Sequence, residues 1–124
     1  MSTMAKKIFV VDDEPNLLEL IKVNLEAGGF EVAVASSGPK AIEFLKDYSP
    51  DAIILDGRLP GMDGWEICRI IKADERMKAV PVIFLSSATQ KSDIQRAQDA
   101  GCGCFISKPF DPLNLIEVLE TMLE

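Results

Sequence analysis

Residues that carry charge or can donate a proton follow four hydrophobic runs of the chain, at the point where each run ends. In chain order they are Asp12, Asp13, Glu14, Asp56, Ser86, Ser87, Ser107 and Lys108. Crowded carboxylates repel one another, and a raised pKa or a bound cation usually relieves that repulsion. Hard oxygen ligands without sulfur or nitrogen suit Mg²⁺. If the runs are neighbouring strands, these residues predict a phosphate site whose positive charge comes from magnesium and one lysine.

Asp56 is the best candidate for a nucleophile in this set. A carboxylate can accept a phosphoryl group as an aspartyl phosphate, and Asp56 stands alone at the end of the middle run. Asp12 and Asp13 are better placed to hold the metal. Each residue alone has a simpler explanation, since Asp13 could cap a helix and Lys108 could be a solvated surface charge. That explanation weakens when all of them meet at one edge.

The hydrophobic pattern predicts the elements that would bring these residues together. Strand-like runs at residues 7–11, 30–35, 52–55, 80–85 and 104–106 alternate with helical patterns at 15–27, 39–48, 63–73, 89–100 and 112–123. Several runs are continuously apolar, as central parallel strands are when helices cover both faces. Five strand–helix repeats predict a three-layer α/β/α fold with a parallel sheet. Ligands of such sheets bind beyond the carboxyl ends of the strands.

The helical pattern over residues 89–100 is the weakest of the five. Its apolar residues are Ile94 and alanines, so a helix there would bury little area. We expect this segment to lie at the low-stability end of the structure. Because Ser86 leads into the segment, a displacement at the site would meet little packing there.

Composition narrows the classes of function. The 124 residues, 48% of them hydrophobic, suit one domain with a real core. The net charge of −7 argues against direct binding to nucleic acid or an anionic membrane. There is no histidine, which excludes serine–histidine and cysteine–histidine catalysis. The three cysteines lack the spacing of a zinc site or a disulfide framework.

The sequence contains neither a candidate membrane span nor a secretory leader. No run reaches the roughly 18 to 20 apolar residues of a membrane span, and the N-terminus lacks an apolar leader. We therefore expect a cytoplasmic protein in which residues 1–5 are a disordered lead-in and residues 6–124 form the domain.

Four motifs, in this order and spacing, resemble the receiver domains of bacterial two-component response regulators: VVDDE, LDGRLPGMDG, PVIFLSS and ISKPF. The resemblance runs from about Lys6 to Leu123. It implies a flavodoxin-like sheet with strand order 2-1-3-4-5, the order of the chemotaxis regulator of this family. It also implies a histidine kinase or a phosphotransfer protein as phosphodonor. The domain would then catalyse only its own phosphorylation and dephosphorylation and would not be an enzyme otherwise.

The resemblance assigns the acidic residues and their metal. Asp56 resembles the phosphoacceptor. Asp12 and Asp13 resemble the acidic pair that holds Mg²⁺, joined by Asp56 and the backbone carbonyl of Arg58.

Three further residues resemble the family's phosphate-binding and switch positions. Ser86 resembles the hydroxyl residue that moves to bind the phosphoryl group, and Lys108 resembles the lysine that pairs with it. The Lys108–Pro109 bond would be cis. Phe105 resembles the aromatic switch residue of the last strand, although a plain strand aromatic explains its spacing as well.

Gly57 and Arg58 depart from the family pattern, which more often has an apolar and a smaller or neutral residue there. We expect the Arg58 side chain to lie over the phosphoryl site and alter water access. Together with Ala88, these residues are candidate modulators of the lifetime of the phosphoryl group.

The expected output is a shift of the surface formed by the helix over residues 89–100, the last strand and the last helix. This surface would control a downstream protein or an output domain, and phosphorylation would bias two pre-existing conformations. A homodimer formed on phosphorylation is a further expectation. No DNA-binding module follows the domain, so the chain is expected to be either a stand-alone receiver or a fragment of a longer protein.

Three other functions stay open from the sequence. The first is a Mg²⁺-dependent phosphatase that acts through an aspartyl intermediate. The second is a flavodoxin-like cofactor binder, although the acidic loop DDEPN would repel a flavin phosphate. The third is a receiver that only binds a partner and is never phosphorylated.

Overall fold

The computed structural model describes residues 5–86, 95, 96, 98–101, 104–108 and 110–123, with Ser86 described by its backbone alone. Within these residues the chain alternates between strands and helices, as the hydrophobic pattern predicts. The strands are β1 (Lys7–Val11), β2 (Glu31–Ala35), β3 (Ala52–Leu55), β4 (Val82–Ser86) and β5 (Cys104–Ser107). The helices are α1 (Pro15–Ala27), α2 (Gly38–Leu45), α3 (Gly64–Ala73) and the C-terminal helix (Pro112–Met122).

All five strands pair in parallel in the order β2-β1-β3-β4-β5, which confirms the flavodoxin-like topology. The register brings the carboxyl ends of the strands to one edge. Val11 of β1 lies opposite Leu55 of β3, and Ser86 of β4 lies opposite Ser107 of β5. The residues that follow β1 and β3 are therefore neighbours in space, although Asp12 lies 43 positions before Leu55 in the sequence.

The alternation of side chains along each strand divides the core into two layers. Ile8 and Val10 of β1 pack with α1 and the C-terminal helix, whereas Phe9 and Val11 pack with α2 and α3. All four are at most 1% exposed. Burying an aliphatic or aromatic side chain of this size contributes about 1.5–3 kcal/mol, so the central strands are held firmly under the site.

The helix ends follow local chemistry. Ser37 caps α2 and its hydroxyl accepts a hydrogen bond from the Lys40 N–H, with Pro39 in the first turn. The simpler alternative, in which Asp13 caps α1, is wrong, because Glu14 occupies the cap position without a side-chain cap bond. The α2 helix ends at Leu45, three residues before the predicted end at Tyr48, and continues as a turn.

The predicted strand at 80–85 begins later and ends later, at Val82–Ser86. Pro81 has no N–H to donate to a ladder, but its carbonyl accepts a hydrogen bond from the Ile53 N–H. Ser86 is consequently the last residue of β4 and not the residue after the strand.

Most of the weak helical pattern over residues 89–100 lies outside the described residues. Gln95, Arg96, Gln98 and Asp99 are helical and exposed, and Ala100 is buried at 4% exposure. The low stability expected for this segment therefore stays a prediction. Among the helices that the structure describes, none combines the length and apolar character that crossing a membrane requires.

Candidate functional site

Two buried aspartates stand side by side at the carboxyl edge of the sheet. The Asp12 N–H donates to the Ala35 carbonyl and the Asp56 N–H donates to the Val11 carbonyl, so both residues continue the ladder of their strands. Asp12 is 1% exposed and Asp56 is 7% exposed. In the described part of the chain these are the buried charged residues, because the remaining buried side chains are apolar. A charge at this depth needs a partner.

Each of the two carboxylates uses one oxygen to bind its own turn. Asp12 Oδ1 accepts from the Glu14 N–H at 2.9 Å, and Asp56 Oδ1 accepts from the Arg58 N–H at 3.1 Å. A carboxylate that binds the amide two residues ahead forms a tight local turn. The two turns orient the second oxygen of each aspartate toward the same space.

Lys108 fills part of that space. It follows β5, and its ammonium group donates to Asp12 Oδ2 at 2.9 Å and to Asp56 Oδ2 at 3.2 Å. The Lys108 side chain is only 14% exposed. The lysine therefore bridges two buried carboxylates, and the alternative that it is a solvated surface charge is wrong.

The pKa values of Asp56 and Lys108 reflect this arrangement. Burial raises the pKa of Asp56, and the nearby charge of Asp12 raises it further, whereas the Arg58 N–H and Lys108 oppose the rise. Burial lowers the pKa of Lys108, but the hydrogen bond to Asp12 and the charges of Asp56 and Asp12 outweigh burial, so its pKa is raised overall. Lys108 is thus held in its charged form.

Asp13 completes an acidic cluster. One carboxylate oxygen from each of Asp12, Asp13 and Asp56 lies within 4.8 Å of the other two. Asp13 is exposed, so one side of the cluster is open to solvent. All donors are hard oxygens, the ligands that Mg²⁺ prefers, and a magnesium site typically uses one or two carboxylates and several waters. The residues present fit a magnesium ion.

Phe105 and Arg58 are among the other candidate residues that the structure describes. Phe105 of β5 is half-buried and packs against the core layer of α2 and α3, opposite Phe84 of β4. Arg58 is exposed, and its backbone meets Asp56 through the N–H already described. The side chain of Ser86, together with Ala88 and Pro109, lies outside the described residues, so the cis bond predicted at Lys108–Pro109 stays a prediction.

One residue near the site did not emerge from the sequence. Gly64 begins α3, and its N–H donates to the carbonyl of Gly57, the residue after Asp56. In the sequence Gly64 reads only as a turn glycine, because its closeness to Asp56 depends on how α3 packs on the sheet.

Comparison with known proteins decides the family. The family model of the response regulator receiver domain matches residues 8–120 of the 124. The chain belongs to this family. It is a response regulator receiver domain, the phosphoacceptor switch of two-component systems, which confirms the resemblance read from the four motifs.

Relatives of this receiver domain include regulators of different length. The DNA-binding response regulator MtrA of Mycolicibacterium smegmatis is 36% identical over 116 residues, which cover 94% of this chain and 50% of that protein. The chain thus spans about half the length of the MtrA proteins it matches. The polar-differentiation response regulator DivK of Brucella ovis is 32% identical over 120 residues, which cover 97% of this chain and 98% of DivK.

A solved receiver domain supports the metal assignment of this family. The receiver domain of a Pseudomonas aeruginosa sensor histidine kinase is 29% identical, with a TM-score of 0.89, and the match covers 97% of this chain and 98% of that one. Its structure contains a magnesium ion coordinated in the active site cleft. Receiver domains therefore bind magnesium at an acidic site, and the Asp12, Asp13 and Asp56 cluster is of that kind.

Proposed function

We propose that Asp56 of this receiver domain accepts a phosphoryl group from a histidine kinase or a phosphotransfer protein, with Mg²⁺ as cofactor. The observation that carries this proposal is the convergence of three carboxylates within 4.8 Å, two of which share the Lys108 ammonium group. The burial of charged groups costs free energy even when they are paired. A purely structural role therefore explains this arrangement poorly.

Asp56 is a better acceptor than its two neighbours. Asp12 is almost completely buried and is the closer partner of Lys108, so an incoming phosphorus atom has little access to it. Asp13 is exposed, and the ion pairs that the structure describes for Lys108 are with Asp12 and Asp56. Asp56 stands on the middle strand, contacts Lys108 and keeps some exposure.

The reaction transfers one phosphoryl group from the donor to Asp56. An Asp56 carboxylate oxygen attacks phosphorus, a P–O bond forms, and the P–N bond of a phosphohistidine or the P–O bond of an acyl phosphate breaks. Asp12, Asp13, Asp56 and the Arg58 carbonyl would hold the metal, which would supply positive charge to offset the charge of the acids and of the phosphoryl group. Phosphoryl transfer relies chiefly on positioning and charge neutralisation. The Arg58 N–H keeps the Asp56 carboxylate in one orientation for that attack.

Lys108 would then change partners. In the structure it is shared between Asp12 and Asp56. The phosphorylated Asp56 carries more charge and more acceptor oxygens, so the ammonium group would move toward them. Lys108 follows β5, and Ser86 at the end of β4 lies opposite Ser107. This juxtaposition supports a role for Ser86 as the hydroxyl partner of the phosphoryl group.

We place the output on the surface formed by the helix over residues 89–100, β5 and the C-terminal helix. Phe105 lies in β5, half-buried, and would follow the movement as the aromatic switch. The surface would act on a downstream protein or output domain, with a homodimer as one form of the active state. The net charge of −7 supports a protein partner and not nucleic acid.

The proposal confines chemistry to Asp56 itself, with self-phosphorylation and self-dephosphorylation but no turnover of other phosphate esters. We place the protein in the cytoplasm, with residues 6–124 as the receiver domain and residues 1–5 as a lead-in. The sequence has three cysteines, an odd number without the spacing of a disulfide framework, which supports a reducing compartment.

Intact-mass spectrometry after incubation with acetyl phosphate and Mg²⁺ tests the acceptor. We expect one phosphoryl adduct on the wild type, none on Asp56→Asn, and the adduct again on Asp47→Asn, a control that removes an exposed aspartate. Labelling of Asp56→Asn at the wild-type rate would remove Asp56 from the mechanism. Multiple turnover of a small phosphate ester would favour the phosphatase instead.

A further inference from the structure

Gly64 lies against the backbone of the proposed acceptor. A Cβ atom built at Gly64 would be 2.1 Å from the carbonyl oxygen of Asp56 and 3.0 Å from the Cα atom of Gly57. Real Cβ atoms essentially never come closer than 3.0 Å to another heavy atom. The atoms in the way belong to the backbone, so no side-chain rotation relieves the clash. The end of β3 and the start of α3 would have to separate by about 0.9 Å, the difference between these two distances.

This close approach connects to the orientation of the carboxylate. The Gly64 N–H donates to the Gly57 carbonyl at 3.1 Å. Gly57 joins Asp56 to Arg58, and the Arg58 N–H donates to Asp56 Oδ1 at 3.1 Å. A displacement at Gly64 therefore passes through one residue to the hydrogen bond that orients the acceptor.

A second close approach holds the same loop from the other side. Gly38 begins α2 and is buried, and a Cβ atom there would be 2.7 Å from the Cβ atom of Met62. The loop of residues 57–63 therefore packs between the first turns of α2 and α3. The close approaches are at Gly38 and Gly64, which have no side chain. A loop held on both sides cannot move away from Gly64 without disturbing α2.

We propose that Gly64 is a positioning residue for Asp56. Its missing side chain lets α3 begin at the Asp56 carbonyl, which holds the Asp56 carboxylate and the Arg58 backbone in the geometry that metal binding and phosphoryl transfer require. The inference rests on the proposed role of Asp56. Magnesium requires near-ideal octahedral placement of its ligands, and a misplacement of roughly 1 Å can cost about 100-fold in rate. We expect Gly64→Ala to slow phosphorylation at least about tenfold.

The first measurement compares Gly64→Ala with wild type and with Gly28→Ala. Gly28 is the C-cap residue that follows α1 and has a φ of −82°, and a Cβ atom there would meet nothing closer than 3.4 Å. Initial rates of labelling by acetyl phosphate are measured by mass spectrometry over a range of Mg²⁺ concentrations, and binding of Mg²⁺ is measured by calorimetry. We expect Gly28→Ala to stay within twofold of wild type and Gly64→Ala to bind Mg²⁺ more weakly and react more slowly.

The second measurement needs no metal. In EDTA, amide hydrogen exchange followed by NMR compares the Arg58 amide with the Glu14 amide, which makes the equivalent bond to Asp12 Oδ1. We expect Gly64→Ala to accelerate exchange at Arg58 and to leave Glu14 at the wild-type rate. A general loss of stability would accelerate both.

The outcomes separate this inference from the proposed function. If Gly64→Ala folds and its labelling rate, Mg²⁺ affinity and Arg58 exchange all stay within twofold of wild type, Gly64 does not position the acceptor. If the variant is unfolded, the measurements are repeated in trimethylamine N-oxide, which favours the compact state. If Gly64→Ala fails to fold even in trimethylamine N-oxide while Gly28→Ala folds, the contact is needed for folding and not for positioning Asp56, and the proposal is overturned. Absence of wild-type labelling, with selective loosening of Arg58 in the variant, would refute the proposed function and leave the positioning role standing.

Discussion

Removal of the Lys108 ammonium group should make the stability of the folded protein depend on bound Mg²⁺. Lys108 lies 2.9 Å from Asp12 Oδ2 and 3.2 Å from Asp56 Oδ2. Two unit charges about 3 Å apart attract by roughly 5 kcal/mol at an effective dielectric constant of about 20, and desolvation of the lysine offsets part of this. Breaking a buried pair by removing one partner typically costs about 3–5 kcal/mol. We expect Lys108→Met to lose about 3 kcal/mol of unfolding free energy in EDTA.

Magnesium should restore most of that loss. The metal-binding acids no longer share their oxygens with an ammonium group, so Lys108→Met should bind Mg²⁺ more tightly than wild type. A ligand present at 100 times its dissociation constant stabilises the folded state by about 2.7 kcal/mol. Urea unfolding of both proteins in EDTA and in excess Mg²⁺ measures the two effects, and the gain with Mg²⁺ should be larger for the variant.

Lys46→Met is the matched control. The Lys46 ammonium group also lies 2.9 Å from a carboxylate, that of Glu43, but the two side chains are 64% and 74% exposed. Exposed pairs of this kind contribute about 0.3–0.5 kcal/mol, and the control should show no new dependence on Mg²⁺. If Lys108→Met unfolds within about 0.5 kcal/mol of wild type in EDTA, the bridge between the two acids carries little energy and the electrostatic account of the site is refuted.

Three further predictions concern the acceptor, its cover and its output. Because the pKa of Asp56 is raised above its ordinary 3.8, the stability that this group contributes is complete below pH 3.8 and is lost as pH rises through the folded-state pKa. Asp56→Asn should therefore gain unfolding free energy relative to wild type between about pH 4 and pH 7 in EDTA, and an equal difference at both pH values would contradict the burial argument. Arg58→Ala should shorten the lifetime of the phosphorylated protein severalfold by opening the site to water, and equal lifetimes of wild type and variant would dismiss a covering role. Beryllofluoride with Mg²⁺ should change amide hydrogen exchange within residues 86–110, measured by mass spectrometry, and an unchanged pattern there would remove the proposed output surface.

The element types followed from local pattern, and element ends were less predictable. Continuous apolar runs predicted the buried strands, since only a strand covered on both faces is apolar at every position. The alternative of a cap at Asp13 and the predicted end of α2 were wrong, because both ends depend on turns that compete with the local preference. The strand order was not derivable from the pattern at all. It came from the resemblance of the four motifs to a known family.

The candidate site likewise has features that were predictable from the sequence and features that were not. The chemistry of the site was predictable from the sequence, because the acids, a lysine and a hydroxyl stand at the ends of β1, β3, β4 and β5 and the carboxyl ends of parallel strands meet at one edge of a sheet. The three-dimensional structure was needed to show that Lys108 bridges Asp12 and Asp56, residues 96 and 52 positions away. It alone also showed that α3 begins where a single added carbon at Gly64 would strike the Asp56 carbonyl. Hydrophobic periodicity reports which face of an element is buried, whereas contacts of this kind depend on distances of a few ångströms between elements far apart in the chain.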